Sequence, residues 1–308
     1  MTRPASAQFY QAVIGRMAMR TDTASHLLVL LCSVTVYGAP SHRVSDEALR
    51  NISETLFAND VNNAAKHIRI NYQSRTDSNS ATDDAPDPLL TVASEALNIS
   101  TVSVLRKTFD NYVADTRVNE QITDEEMNEE NNLLNAFIET PIMEHTSSFL
   151  SSYDFVTKDP NALKNLLRDL WFSMYSRSGD KMGSSGFEHV FLGELKKGKV
   201  SGMHNWIFFT TEEAKNTANY MGYLKKLDLG EKGDVVKIHY KWSNAMKPVG
   251  SMFVGTSPEF EMALYTICFL ARPNGKCKVN LGNKAVTIRT HTSRSKEKTV
   301  IGSAFPEI

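Results

Sequence analysis

Near Gly179 the hydrophobic period of this 308-residue chain changes. Before that point apolar residues recur at helical spacing. After it come short runs rich in β-branched and aromatic residues, divided by glycine or proline. A chain patterned this way is expected to fold as α+β, with a helical N-terminal part followed by a C-terminal part of antiparallel sheets. Helices are expected to dominate 45–178 and strands 233–305. Residues 179–308 form the β-rich part, and the segment around 189–204 lies between the two regimes.

The helical part carries its own start signals. Ser45, followed by Asp46 and Glu47, opens a helical pattern that runs on through "LFANDVNNAAKHIRINYQ". The carboxylates of "ITDEEMNEENNLLNAFI" sit where they suit a helix N-terminus. The stretch "LLNAFIETPIMEHTSSFLSSY" is interrupted at Pro141, and Asp159-Pro160 reads as an N-cap and first-turn pair for "NALKNLLRDLWFSMYSR". Between these, "SRTDSNSATDDAPDP" (74–88) reads as an exposed loop. The strand candidates are "VVKIHYKW" (235–242), "GSMFVGTS" (250–257), "EMALYTICFL" (261–270), "CKVNLGNKAVTIRTHT" (277–292) and "TVIGSAF" (299–305). A hairpin turn at Asn274-Gly275 would set Cys277 opposite Arg272 and leave Cys268 further down the other strand. That spacing argues against a bridge between them, and the fold is expected to form without disulfides.

The formal net charge of −1 hides an asymmetry. Residues 41–180 hold 12 Lys and Arg against 23 Asp and Glu, whereas 181–308 hold 19 against 11. An anionic ligand should therefore seek the C-terminal half. The apolar run "LLVLLCSVTVYGA" (27–39) is too short to span a membrane and fits the core of a secretory signal, with cleavage expected after Gly38. The 26 residues before it are long for such a signal, and a start at Met19 would give a conventional one. A buried element is the alternative. Residues 1–38 are thus set apart from a domain at 45–308, and the sequons at Asn51 and Asn98 agree with secretion.

Of the eight histidines, His189 and His204 stand out. They are fifteen residues apart in "SGFEHVFLGELKKGKVSGMHNWIFF", among glycines that let backbone approach a ligand closely. Lys196, Lys197 and Lys199 lie between them. The chain has no His-x-x-x-His or Cys-x-x-Cys pair to suggest a metal site. It also has no Gly-x-Ser-x-Gly elbow, which weakens a serine-hydrolase reading.

The segment "GSSGFEHVFLGELKKGKVSGMHNWIFF" resembles the signature of the poly(U)-specific endoribonuclease (EndoU) family. The likeness continues through "DVVKIHYKWSNAMKPVGSMFVGTSPEFEMALYT" and "IGSAFP", so that it covers about 45 to 308. It implies a catalytic trio of His189, His204 and Lys247, with Lys237 and Lys241 as the neighbouring lysines outside the pattern. It also implies roles for Glu188 and Glu194 at the site, as candidate metal ligands, and stimulation by Mn2+ or Ca2+. The acidic loop at Asp83, Asp84 and Asp87 is another candidate for a divalent ion. Two departures concern base recognition: Thr290, His291 and Thr292 stand where relatives place a tyrosine, and Phe305 stands in "SAFP" where a tyrosine is common. Ser251, Thr290 and Thr292 are the hydroxyl candidates for contact with uridine.

The implied reaction explains the residue types. RNA carries its own nucleophile, the 2′-OH. Cleavage to a 2′,3′-cyclic phosphate needs a base, an acid and a cation at one phosphate, and two imidazoles and a lysine supply all three. The expectation is a secreted, monomeric uridylate-specific endoribonuclease acting on single-stranded RNA. An RNA-binding protein of the same fold without catalysis is the alternative, and retention of the whole trio counts against it.

Overall fold

The computed structural model describes residues 43–308 apart from 160. The signal-like run, its alternative start and Cys32 lie outside the described residues. The helical part holds α1 (Asp46–Ala58), α2 (Ser94–Leu97), α3 (Ser100–Lys107), α4 (Asp124–Ile138), α5 (Pro141–Ser152) and α6 (Ala162–Trp171), together with a two-stranded ladder of β1 (Ile68–Ile70) and β2 (Leu90–Val92). The β-rich part begins with two small hairpins, β3 (Ser176–Ser178) with β4 (Lys181–Met182) and β5 (Glu194–Lys196) with β6 (Lys199–Ser201). After α7 (Trp206–Ala214) come two three-stranded antiparallel sheets. The first contains β7 (Ala218–Asp228), β8 (Asp234–Trp242) and β9 (Ala245–Val254). The second contains β10 (Lys276–Leu281), β11 (Lys284–Ser295) and β12 (Lys298–Glu307), and α8 (Pro258–Ala271) connects the two. The fold is the expected α+β.

The caps explain several boundaries. Ser45 accepts from the Ala48 N–H at the start of α1, and Thr123 and Glu126 close a reciprocal capping box on α4. Pro141 occupies the first turn of α5, where its missing N–H has no cost. Other boundaries differ from expectation. The first helix stops at Ala58, and the remainder of its apolar pattern becomes a short turn and β1. The helix expected at Asp159-Pro160 begins at Ala162. Asp159 acts one step earlier, its carboxylate accepting from the Asn161 N–H at 2.7 Å.

The largest correction is "EMALYTICFL", which is helix α8 and not a strand. Its residues from Pro258 to Phe269 are buried on every side. A helix packed all round has no polar face, so its sequence shows no 3.6-residue alternation and looks like a buried strand. α8 packs against α1, α3 and α5 on one side and against β10, β11 and β12 on the other. Trp171 of α6 donates to Thr266 of α8 at 2.9 Å, tying the helical layer to this central helix.

The cysteine expectation fails for the same reason. With Cys268 in the last turn of a helix and the chain turning back through 272–275, Cys277 comes alongside it. The two form a disulfide with Cα atoms 5.4 Å apart, within ordinary bridging geometry. The acidic and basic parts meet in surface ion pairs, Arg272 with Asp46 at 2.7 Å and Lys298 with Asp169 at 2.8 Å. Exposed pairs of this kind contribute little to stability. Among the described residues no helix is long and apolar enough to cross a membrane.

Candidate active site

The segment between the two histidines folds back on itself, which is how residues fifteen apart come to face one another. His189 lies in a wide helical turn, Glu188–Leu192, that ends where the Gly193 N–H reaches back five residues to the Glu188 carbonyl. Such π-type turns recur at functional sites. The chain then runs out along β5, returns along β6, and pairs with the turn it left. The Met203 N–H donates to the His189 carbonyl at 2.9 Å, and the His204 N–H to the Val190 carbonyl at 2.7 Å. Gly202 permits this closure: its φ is +71°, and a Cβ there would stand 1.8 Å from the His189 carbonyl oxygen. Asn205 then caps α7, accepting from Ile207 and Phe208.

The imidazole centroids of His189 and His204 are 6.2 Å apart. Lys247, on β9, donates to the Val200 carbonyl of β6 at 3.5 Å, and its charge weighs on both histidines. Lys237 and Lys241 lie on β8, opposite Ser251 and Met246. Strand β12 packs against both β9 and the His189 turn. Its Phe305 stacks on His204 with centroids 4.7 Å apart and planes 18° from parallel, and His291 of β11 stacks in turn on Phe305.

The two histidines have different supports. His189 Nδ1 lies 2.7 Å from Glu194 Oε2, and Arg177 Nε is 2.9 Å from the same oxygen. His204 Nδ1 lies 2.7 Å from the Ser251 carbonyl oxygen. A carbonyl oxygen only accepts, so His204 carries its proton on Nδ1 and leaves Nε2 with a free lone pair. Burial, then the Arg177 charge, lowers the His189 pKa to about 4, with Glu194 acting in the opposite sense. Burial, then the charges of Lys247 and His189, carries His204 well below its ordinary value. Lys247 is brought down to about 8 by burial, against the pull of Glu194.

The two glutamates serve the fold of the site. Glu188 and Ser185 form a reciprocal cap, the Ser185 N–H donating to the Glu188 carboxyl at 3.0 Å and the Glu188 N–H to the Ser185 hydroxyl at 3.1 Å. Burial, reinforced by the charges of Glu120 and Glu194, holds the Glu188 pKa well above the carboxylate range. Glu194 is buried, which would raise its pKa, but His189, Arg177 and the Ser184 hydroxyl together bring it below normal. Both carboxyls are thus engaged within the fold, Glu188 by Ser185 and Glu194 by His189, Arg177 and Ser184. The acidic loop is likewise tied down, Asp84 accepting from Thr76 at 2.6 Å and Asp83 from Asn219 at 2.9 Å. Among the described residues no three His, Cys, Asp or Glu side chains are grouped to hold a metal ion.

The hydroxyl candidates separate. Ser251 sits beside His204 through its carbonyl, and its own hydroxyl has no hydrogen-bond partner among the described residues. Thr290 is fully buried, and its hydroxyl donates to the Arg272 carbonyl at 2.5 Å. Thr292 accepts from the Asn274 side chain at 2.7 Å. Both therefore help to hold the turn at 272–275. Strand alternation turns Thr290 inward, and the exposed neighbour on β11 is His291. Arg177 is the feature that sequence reasoning missed as part of the site, whereas His291 and Phe305, singled out as base-recognition positions, stack beside His204. For Arg177 the residue pattern offers no signal, since it lay in a stretch that reads as helix.

Two buried imidazoles facing one another beside a lysine, in an α+β protein, form a group chemically able to exchange protons next to a positive charge. Comparison with known proteins narrows this. The family model described as Endoribonuclease XendoU matches residues 48–306, and the chain belongs to that family. It is 35% identical over 276 residues to the uridylate-specific endoribonuclease EndoU of Drosophila melanogaster, covering 88% of this chain and 85% of that protein. It is 35% identical to the Bos taurus uridylate-specific endoribonuclease over 267 residues, spanning 85% of this chain and 64% of the bovine length. The solved structure titled as XendoU, a splicing-independent snoRNA-processing endoribonuclease, superposes with a TM-score of 0.72 at 33% identity over 86% of this chain and 98% of that one.

Proposed function

We propose that this chain is a uridylate-specific endoribonuclease that cuts single-stranded RNA through its own 2′-OH. The observation that supports the reading is that His189 and His204 face one another with centroids 6.2 Å apart and that Lys247 is near enough for its charge to act on both. His204, with its free Nε2, takes the proton from the 2′-OH. That oxygen forms a bond to phosphorus, Lys247 offsets the charge of the phosphorane, and the bond from phosphorus to the 5′-oxygen breaks. His189 donates the proton to the departing oxygen, leaving a 2′,3′-cyclic phosphate and a 5′-hydroxyl. Glu194 suits His189 to the acid role, because a carboxylate behind an imidazole stabilises its protonated form. A bound phosphate adds negative charge and raises the His189 pKa from its value in the free protein.

No step is assigned to a divalent ion. If Mn2+ or Ca2+ stimulates the enzyme, as the resemblance implies, Glu188 and Glu194 would have to exchange their present partners to bind it. The Cys268–Cys277 disulfide supports a secretory-pathway location, since such bridges persist in oxidising compartments. The test is to incubate the protein with an oligonucleotide holding one uridine, with and without Mn2+, and to identify the termini. Cyclic phosphate ends produced at the uridine support the reading. No cleavage under either condition refutes it.

A further inference from the structure

The hairpin of β5 and β6 has a base and a tip of different character. Its base belongs to the site: Glu194 holds His189, the Val200 carbonyl accepts from Lys247, and β6 leads directly into Gly202 and His204. Its flank is braced, the Leu195 N–H donating to the Ala114 carbonyl at 2.7 Å and the Thr116 N–H to the Leu195 carbonyl at 3.2 Å. The tip is Lys196-Lys197-Gly198-Lys199, and all three lysines are exposed.

The tip breaks local rules. Lys197 and Gly198 both have positive φ, +52° and +73°, the two-residue turn in which Asn-Gly is the favoured pair. Lys196 and Lys199 are directly opposed across the strands, where like charges repel. No ion pair among the described residues offsets them. Asp115, the carboxylate residue bridged to Leu195, is paired with Arg117 at 2.6 Å. A segment that accepts a disfavoured turn residue and unrelieved repulsion, while bonded at its base to His189 and Lys247, marks a site for an external polyanion.

We propose that the Lys196–Lys197–Lys199 tip is a phosphate-tracking arm that binds the RNA backbone flanking the scissile phosphate. The inference rests on the endoribonuclease reading above. Three residue pairs place the tip within about 10 Å of Glu194 and Ser201, close enough to reach neighbouring phosphates of a strand whose scissile phosphate lies between the histidines. The arm reads charge and not sequence, so it sets preference for substrate length and adds salt dependence.

The test compares the wild type with the triple variant K196S/K197N/K199S, in which Asn at 197 suits the turn and preserves the hairpin. On a 20-nucleotide RNA with one uridine, kcat/KM at low salt should fall at least tenfold. The slope of log kcat/KM against log salt should become shallower by about 2, three phosphate contacts at roughly 0.7 each. A uridine-containing dinucleotide should be cleaved within twofold of wild type, and a triple arginine variant should restore the long-substrate rate. Equal losses on both substrates, or an unchanged salt slope, would overturn the proposal. Fluorescence anisotropy with a non-cleavable 2′-deoxyuridine oligonucleotide reads the arm independently of chemistry. If the wild type cleaves nothing yet binds this probe with a salt slope that the triple variant reduces, the arm stands and the catalytic reading falls.

Discussion

The β5 side and the β9 side of the site hold their imidazoles by different means. On the side of the Glu188–Leu192 turn, His189 rests on an ionised carboxylate that Arg177 and Ser184 fix in place. On the β9 side, His204 rests on a neutral backbone carbonyl and is covered by Phe305. A carboxylate favours the charged imidazole, whereas a carbonyl fixes the tautomer and leaves charge uncompensated beside Lys247. Burial lowers both pKa values, but only His189 has a charged partner that opposes the shift.

The largest effect should come from separating these roles. His189→Ala and His204→Ala should each lower kcat on RNA by roughly 10²–10⁴, the usual scale for general acid–base groups. A uridine 3′-phosphate ester with a nitrophenol leaving group needs no acid. On that ester His189→Ala should regain most of its lost rate and His204→Ala should not. Recovery by His204→Ala instead would reverse the assignment.

Lys247 lies against the His204 side, and its depressed pKa gives the next test. Its charge is present below about 8 and lost as pH rises through that value. The log of kcat/KM should therefore fall more steeply above about pH 8 than below it. Lys247→Ala should cost about 10²–10³ in kcat, comparable to removing one donor that stabilises a developing charge. Lys247→Arg keeps its charge at all these pH values and should remove the extra steepness, at the expense of some rate. A steep limb surviving in Lys247→Arg would assign it to another group.

The same contrast separates what was legible in the sequence from what was not. The resemblance that proposes the trio rests on local strings, since "FEHVF", "GMHNW" and "MKPVGS" carry their residues without reference to the fold. The helix start at Ser45, the acidic first turn of α4 and the break at Pro141 were equally local. What failed depended on long-range packing. α8 lacks a polar face because both sheet and helices cover it, so it read as a strand, and the disulfide was lost with it. Thr290 was chosen for its hydroxyl, but strand alternation turns it inward and sets His291 outward. Arg177 reaches Glu194 only because α6 stops at Trp171 and the chain then turns into β3.

The carboxylate side can be weakened without removing the imidazole. Glu194→Gln should keep a hydrogen bond to His189 while losing the charge, lowering kcat on RNA by roughly 10–100-fold, the usual scale for a group that orients a functional imidazole. KM should change little, and the aryl ester rate should be nearly unaffected. A thermal melt guards against a folding defect, because Arg177 would be left with one weakened partner. If Glu194→Gln slows both substrates equally in a well-folded protein, Glu194 supports the site as a whole and is not specific to the acid.

The smallest effect is expected on the carbonyl side. Ser251→Ala leaves the backbone oxygen that holds His204, so kcat on uridine sites should stay within a few-fold of wild type. The hydroxyl, which has no partner among the described residues, is available to the uracil edge, with its O2 and O4 acceptors and its N3–H donor. Its loss should relax the preference for uridine over cytidine by about 1 kcal/mol, on the order of fivefold. The measurement is the ratio of cleavage at the two bases in one RNA that presents each in the same context. Thr290→Ala should leave that ratio unchanged and instead lower the melting temperature, since its hydroxyl ties β11 to the turn at Arg272. If Ser251→Ala also leaves the ratio unchanged, base choice lies with the exposed His291 and the stacked Phe305, and the carbonyl side serves only to orient the base catalyst.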